Sequence, residues 1–190
     1  MGSLTTPRAL RTRERILDAA LDLFERQGYE ETTTSEIAVS TGITPMTFFR
    51  HFPTKESVLV GDPFDPMIAA AVAATPVGLP PFERVRRGLL AAVAGLPSSE
   101  DASARRRLAV VATVPSLRGA IAASTQATQD AIVNHLRAQG VDRFAATVAS
   151  AACLGAVTAA LLAWDALPKG MSLADVVRLA LTELAPGSVQ

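Results

Sequence analysis

The sequence predicts an all-α protein, with an N-terminal three-helix unit followed by a larger helical unit, on three observations. No stretch alternates apolar and polar residues for long enough to argue a strand. Apolar residues recur instead at helical spacing along most of the chain. Glycine and proline stand mainly where those periodic stretches should stop or start. With 190 residues, of which 49% are hydrophobic and 19% charged, the chain can build a buried core and is too apolar for a disordered polymer.

The first helix is expected from about Leu10 to Gln27, with Ile16, Ala20, Leu23 and Phe24 on one stripe, Asp18, Asp22 and Glu25 on another, and Gly28 closing it. In the run from Glu30 to Ala38 a threonine or serine can cap a second, short helix that turns Ile37 and Ala38 inward and stops at Gly42. Ile43 is the apolar residue of the next turn, Thr44 can cap a third helix, and Pro45 suits its first position, where a missing N–H costs nothing. Phe48 and Phe52, four apart, point to one side and leave Met46, Thr47, Arg50 and His51 on other faces. Prolines and glycines then crowd between Gly61 and Pro81, which predicts a boundary dividing residues 8–60 from 61–190. Helices are expected near 81–95, 100–114, 116–139, 141–166 and 172–185. Pro97, Pro115, Gly140, Pro168 and Gly170 punctuate them, and Ser172 to Asp175 reads as a capping box with Asp in the Glu position.

Composition removes several classes of function. Eighteen basic residues against eighteen acidic ones exclude a polycation that coats nucleic acid by bulk charge, so any such contact must be local. A single cysteine, Cys153, excludes an internal disulfide, and two histidines do not make a Cys/His zinc cluster. The chain has no Gly-rich phosphate loop, no nucleophile elbow and no metal-ligand spacing around His51 or His135, so no enzyme activity, cofactor or metal is expected. The first residues lack the apolar run of a signal peptide, and a cytoplasmic location is expected. Phe144 to Trp164 is uncharged and long enough for a membrane span, but Ala151, Gly155 and Ala159 repeat at four, which suits close helix packing better. With the stripe Leu173, Val176, Val177, Ala180, Leu181 and Leu184, this segment is expected to close a four-helix homodimer interface, Trp164 packing in it, with no membrane partner. Arg84, Arg86 and Arg87, and Arg105 to Arg107, spread around their helices and read as solvated or locally paired charge.

Helix, glycine-centred turn and helix between Thr34 and Phe52 is the spacing of a helix-turn-helix, whose second helix can enter a DNA major groove. Over residues 10–60 the chain resembles the TetR/AcrR family of repressors. The resemblance is carried by Arg15 to Ala20, Leu23-Phe24, Gly28-Tyr29, Thr33-Thr34, Ile37-Ala38, Gly42-Ile43-Thr44 and the run from Phe48 to Glu56. It implies a homodimer that binds a near-palindromic double-stranded operator and lets go when a small molecule enters the C-terminal unit. It also implies roles for residues. Thr34 and Thr44 are expected to bind phosphate at helix starts. Pro45, Met46 and Thr47 are expected to meet base edges, two of them apolar enough for a thymine methyl. Arg50, His51 and Lys55 are expected to supply local positive charge, and Arg8, Arg11, Arg13 and Arg15 a basic arm. Phe49 replaces a tyrosine common in the family, and can pack on sugar or backbone without donating a hydroxyl. Gly61-Asp62-Pro63 should break the fourth helix that in the family links the two units.

A small apolar or amphipathic effector would bind among the later helices. Phe82, Val110, Val114, Leu117, Ile121, Thr125 and Gln129 are its expected contacts, although a filled core uses the same residue types. The alternative is a C-terminal unit with a dry, filled core that binds a protein partner and no small ligand.

Overall fold

Helix α1, Pro7–Gln27, buries Ile16, Ala20, Leu21, Leu23 and Phe24 and ends at Gly28, whose φ of +89° is a conformation that side chains with a Cβ rarely adopt. A computed structural model describes the chain over residues 7–60, 65–95 and 99–184, and every regular element among them is helical. The short elements are set by their caps. Thr33, not Thr34, caps α2 (Thr34–Ser40): its hydroxyl accepts from the Glu36 N–H at 3.2 Å, while the Glu36 carboxylate accepts from the Thr33 N–H at 2.8 Å. Gly42, with φ of +67°, makes the turn into α3 (Pro45–His51), which Thr44 caps and Pro45 opens as expected. Helix α4 (Ser57–Val60) follows. The expected break at Gly61-Asp62-Pro63 lies outside the described residues, as do Phe64 and Pro97.

Helix α5 (Asp65–Ala73) occupies the proline- and glycine-rich stretch that was read as a boundary. The later elements are α6 (Pro81–Ala94), α7 (Ser99–Thr113), a 3-10 turn at Pro115–Leu117, α8 (Arg118–Ala138), α9 (Arg143–Leu162), a second 3-10 turn at Trp164–Ala166, and α10 (Leu173–Glu183). Ser172 and Asp175 form the expected reciprocal cap on α10. Helix α9 packs against α6, α8 and α10, and α5 against α6 and α8.

Two main cores result. One joins α1 to α4 and extends into α7 and the turn after it through Val111 and Leu117. The other fills the space between α5, α6, α8, α9 and α10 with residues such as Val72, Val85, Leu89, Ile132, Leu136 and Cys153. Burial pushes the Cys153 thiol up to about 12, so it behaves as a small apolar filler. A smaller cluster unites Ala104, Trp164 and Val176.

Two interface expectations change here. Trp164 is 2% exposed and packs inside its own chain, with the Arg105 guanidinium 5.6 Å from its ring, because the chain leaves α9 before Trp164 and turns it towards α7. The α10 residues Val176, Val177, Ala180 and Leu181 are likewise buried within the chain, since that stripe is the face α10 lays on its own neighbours.

Helices α5 and α6 approach most closely at Gly88. A Cβ there would lie 2.4 Å from Val72 Cγ2 and 2.6 Å from Val72 Cα, so backbone would have to move. Gly to Ala inside a helix ordinarily stabilises by about 0.5–1 kcal/mol. Gly88→Ala is expected to do the opposite and cost about 1–3 kcal/mol by overpacking. A thermal unfolding midpoint that stays level or rises would show that α5 and α6 are not held at this distance.

Candidate nucleic-acid interface and ligand cavity

The third helix is anchored on one side and open on the other. Phe48 and Phe52 are buried with ring centroids 5.9 Å apart, and Phe49 meets Phe48 edge-on at 5.4 Å. The Thr44 hydroxyl accepts from the Thr47 N–H at 3.2 Å and lies 3.0 Å from the Thr47 hydroxyl, which fixes the first turn. Pro45 and Arg50 are exposed, Met46 is 83% exposed and Phe49 46%. Thr47 is half-buried between them and Thr34 is half-buried at the start of α2. Val39 on α2, 79% exposed, adds a residue that the sequence reading passed over. Its signal was available, since two residues after inward-facing Ile37 a helix has turned about 200°. Among the described residues the open face is therefore apolar at its centre and carries one free cation, Arg50, at its end.

The other expected cations are in use. His51 is 6% exposed, and burial first, then the charges of Arg50 and Arg13, hold its pKa below the ordinary histidine value. Its charged form is disfavoured, because α3 turns its ring towards the core. The Lys55 ammonium donates to the carbonyls of Tyr29 at 2.9 Å and Thr32 at 3.0 Å, reaches that of Glu30 at 3.4 Å, and sits 4.2 Å from the centre of the Tyr29 ring. That charge latches the loop between α1 and α2 instead of standing free for phosphate. Residues 8–15 are helical, so they form no extended arm. Arg13 donates to the His51 carbonyl at 2.6 Å and stacks 4.0 Å over Phe52; Arg15 donates to the Thr41 carbonyl at 2.7 Å. Both cations sit at the C-terminal ends of α3 and α2, where the helix dipole favours positive charge. Arg8 and Arg11 remain exposed on α1.

Behind these helices lie two adjoining cavities of about 180 and 160 Å³. They share Ser124, Thr125, Thr158, Leu161 and Leu173. The first opens towards Leu59, Val60, Arg107 and Val111, the second towards Met67, Ile68, Leu89 and Val93. Of the expected contacts, Ile121 and Thr125 line the space. Leu117 is fully buried in the core of α1 to α4, Val110 and Val114 pack against that core, and Phe82 packs against the second one. Gln129 falls one helical turn beyond Thr125 and is not among the lining residues. The polar run on α8 splits: Ser124, Thr125 and Thr128 turn inward, while Gln126 pairs with Asp130 outside.

Helix α7 ties this region to α1. Arg106 binds Asp22 at 2.7 Å and Glu25 at 2.7 Å, and Ser116 donates to Glu30 at 2.6 Å. Away from the cavities, α9 exposes Phe144 (77%) and Val148 (50%), followed on the same face by Ala151, Gly155 and Ala159. Leu179 of α10 and Leu184, the residue that caps its C-terminus, are exposed as well. By length and composition α9 would also satisfy a membrane span, yet part of it is buried against α6, α8 and α10.

Residues 16–60 match the family described as bacterial regulatory proteins, tetR family, and residues 79–189 match the family described as the MftR C-terminal domain. The transcriptional regulator TcmR of Streptomyces glaucescens is 40% identical over 87 residues, a match covering 45% of this chain and 38% of that protein. The curated relatives are thus matched over less than half their length. Among solved structures, a Thermus thermophilus FadR described as a TetR family repressor in complex with lauroyl-CoA shares 27% identity and a TM-score of 0.51, over 94% of this chain and 95% of that one. SmeT, the repressor of the Stenotrophomonas maltophilia efflux pump SmeDEF, shares the fold at 22% identity and a TM-score of 0.56, over 94% and 95% of the two chains.

The buried His51 has a consequence for acid stability. Its pKa is depressed in the folded chain, so below about pH 6.5 the unfolded chain takes up a proton that the folded one refuses. Stability from this group is complete above that pH and is lost as the pH falls towards the folded value. The fall in unfolding midpoint between pH 7.5 and 5.5 is expected to be smaller in His51→Gln than in the parent, and equal slopes would mean that the imidazole is charged in place.

Proposed function

Because this chain belongs to the TetR family of bacterial regulatory proteins, we propose that it is a cytoplasmic repressor that binds a near-palindromic operator as a homodimer and is released by a small apolar or amphipathic effector. In this reading residues 8–60 read DNA and residues 61–190 bind effector and partner subunit. The observation that carries the proposal is the half-open α3: Phe48 and Phe52 hold one side in the core while Pro45, Met46, Phe49 and Arg50 stand in solvent. Thr34 and Thr44 face phosphate at the starts of α2 and α3, where N–H groups point outward. Met46 and Thr47 read base edges, and Phe49 packs on the backbone. His51 and Lys55 act indirectly, by holding the helices that carry the others.

The homodimer closes through the exposed α9 face from Phe144 to Ala159 with Leu179 and Leu184 of α10, and places two α3 helices about 34–36 Å apart, one turn of DNA. The two cavities favour a small effector over the protein-partner alternative, which called for a filled core. FadR and SmeT, each solved with a ligand, are similar in fold and support the same reading. The effector acts by preferring a dimer whose α3 helices no longer fit the two half-sites, and can shift the population only by that difference in affinity.

Selection of random duplexes by the full-length protein at fixed salt is expected to recover an inverted repeat. Arg50→Ala is expected to weaken all sequences alike and lower the salt slope by about two, one phosphate contact per subunit, whereas Thr47→Ala alters which sequences are recovered. Uniform weakening by Thr47→Ala would remove base reading from that residue. Phe144→Asp together with Val148→Asp is expected to leave a species near 19.8 kDa in light scattering, and a dimer that survives would place the interface elsewhere.

A further inference from the structure

Three successive arginines on α7 point in three directions, as residues 100° apart on a helix must. Arg105 pairs with Asp165 and Arg106 with Asp22 and Glu25. Arg107 pairs with no carboxylate among the described residues. It lines the first cavity, and its Nε is buried without a hydrogen-bond partner. An unpaired buried donor is a standing cost that a native core rarely keeps without a use. Arg107 is also the one charged side chain among the described residues lining either cavity. A charge of the same sign lies within its reach: burial first, and then the charge of Arg107, hold the Arg13 guanidinium below its usual pKa. The space beyond Arg107 is apolar, apart from the hydroxyls of Ser124, Thr125 and Thr158 at the junction of the two cavities and that of Thr128 in the second.

From this arrangement we infer that Arg107 is the anchor for the anionic head of an amphiphile whose apolar body runs past Thr125 and Thr158 into the second cavity. The inference rests on the effector reading above and names the chemical class of the effector: a carboxylate, or another compact anion, on a hydrocarbon body. A planar guanidinium can take a carboxylate through two parallel N–H bonds, which satisfies the orphaned Nε and offsets the repulsion with Arg13. A cationic head would meet the like charge of Arg107, and a neutral one would leave that charge unpaired. Size sets the length. Each cavity is close to the roughly 150 Å³ that accepts a benzene molecule in an engineered core, so the pair suits an effector of about twelve non-hydrogen atoms. The head would lie one arginine away from α3, since Arg13 holds the His51 carbonyl and covers Phe52.

The test uses the full-length protein with decanoate, decan-1-ol and decylammonium below their micellar limits, by calorimetric titration at pH 7.5. Decanoate is expected to bind about tenfold or more tighter than the alcohol, and decylammonium more weakly than either. Arg107→Gln is expected to bring decanoate to the level of the alcohol while leaving the alcohol's affinity unchanged, which shows that the cavity still folds; Arg107→Lys keeps part of the preference. Equal binding of acid and alcohol by the parent, an undiminished preference in Arg107→Gln, or no binding of decanoate overturns the anion anchor. Decanoate that binds through Arg107 but leaves the operator complex intact upholds the anchor and removes the effector role instead.

Discussion

A seven-residue helix does not hold itself in water, and the exposed face of this protein is carried on one. What keeps α3 in place is the contact of Arg13 with its C-terminal end: one guanidinium bonded to the His51 carbonyl and stacked on Phe52. Arg15 does the same for the end of α2 through the Thr41 carbonyl. Two cations on one rigid 21-residue helix thereby set the angle between both halves of the helix-turn-helix. Phe48 and Phe52 supply the apolar floor, and burial of His51 keeps a third positive charge from competing with Arg13 at the same spot. Lys55 plays the matching part on the other side, holding the loop that enters α2. The exposed face of α3 is thus oriented largely by basic residues that do not reach it.

That inversion explains what could be read in advance. Features whose partners lie within four residues were legible: the Thr44 and Pro45 start of α3, the Ser172 and Asp175 cap of α10, and the left-handed glycines at 28 and 42. Most helix bounds followed from them. Lys55, Arg13 and Arg15 were misread because their partners are carbonyls 23 to 38 residues away, and a carbonyl leaves no mark in a sequence. Helix α5 was missed because it is apolar nearly all round, as a helix pressed between α6 and α8 should be, and stands among prolines that suggested a linker. The cavity was found only at Ile121 and Thr125 because lining and filler are made of the same side chains. Leu117 and Ile121 are both apolar and one turn apart, yet one is core and the other borders empty space.

The same core that seats α3 also reaches the cavity. Val111 and Leu117 belong to the apolar cluster of α1 to α4, and Val111 lines the first cavity from the opposite direction. Ser124 donates to the carbonyl of Val60 at 3.3 Å, while Arg106 grips α1 through Asp22 and Glu25. These ion pairs are partly exposed and individually weak. Their position matters more than their strength, because they make α7 a strut between α1 and the space where a ligand would sit. Side-chain contacts from α7 and α8 therefore join the two halves in addition to the chain itself.

Among the described residues, the near-absence of free charge on the exposed face of α3 bears on how DNA would be bound. Arg50 is the free cation at the end of α3 among those residues. On the proposed reading it and the exposed Arg8 and Arg11 of α1 let a single subunit neutralise only a few phosphates, so its salt-dependent affinity is small. Met46 and Val39 offer apolar surface in place of hydrogen bonds, which suits thymine methyl groups and contributes selectivity without much attraction. Useful binding on the proposed reading then requires two subunits, since joining two weak half-sites multiplies their affinities when the spacing is right and loses the gain when it is not. A reader that depends on spacing more than on contact strength is one that a small change behind α3 can switch. On that reading the sensitivity of the molecule lies between Arg107, which lines the first cavity, and Arg13, which feels its charge and holds the end of α3.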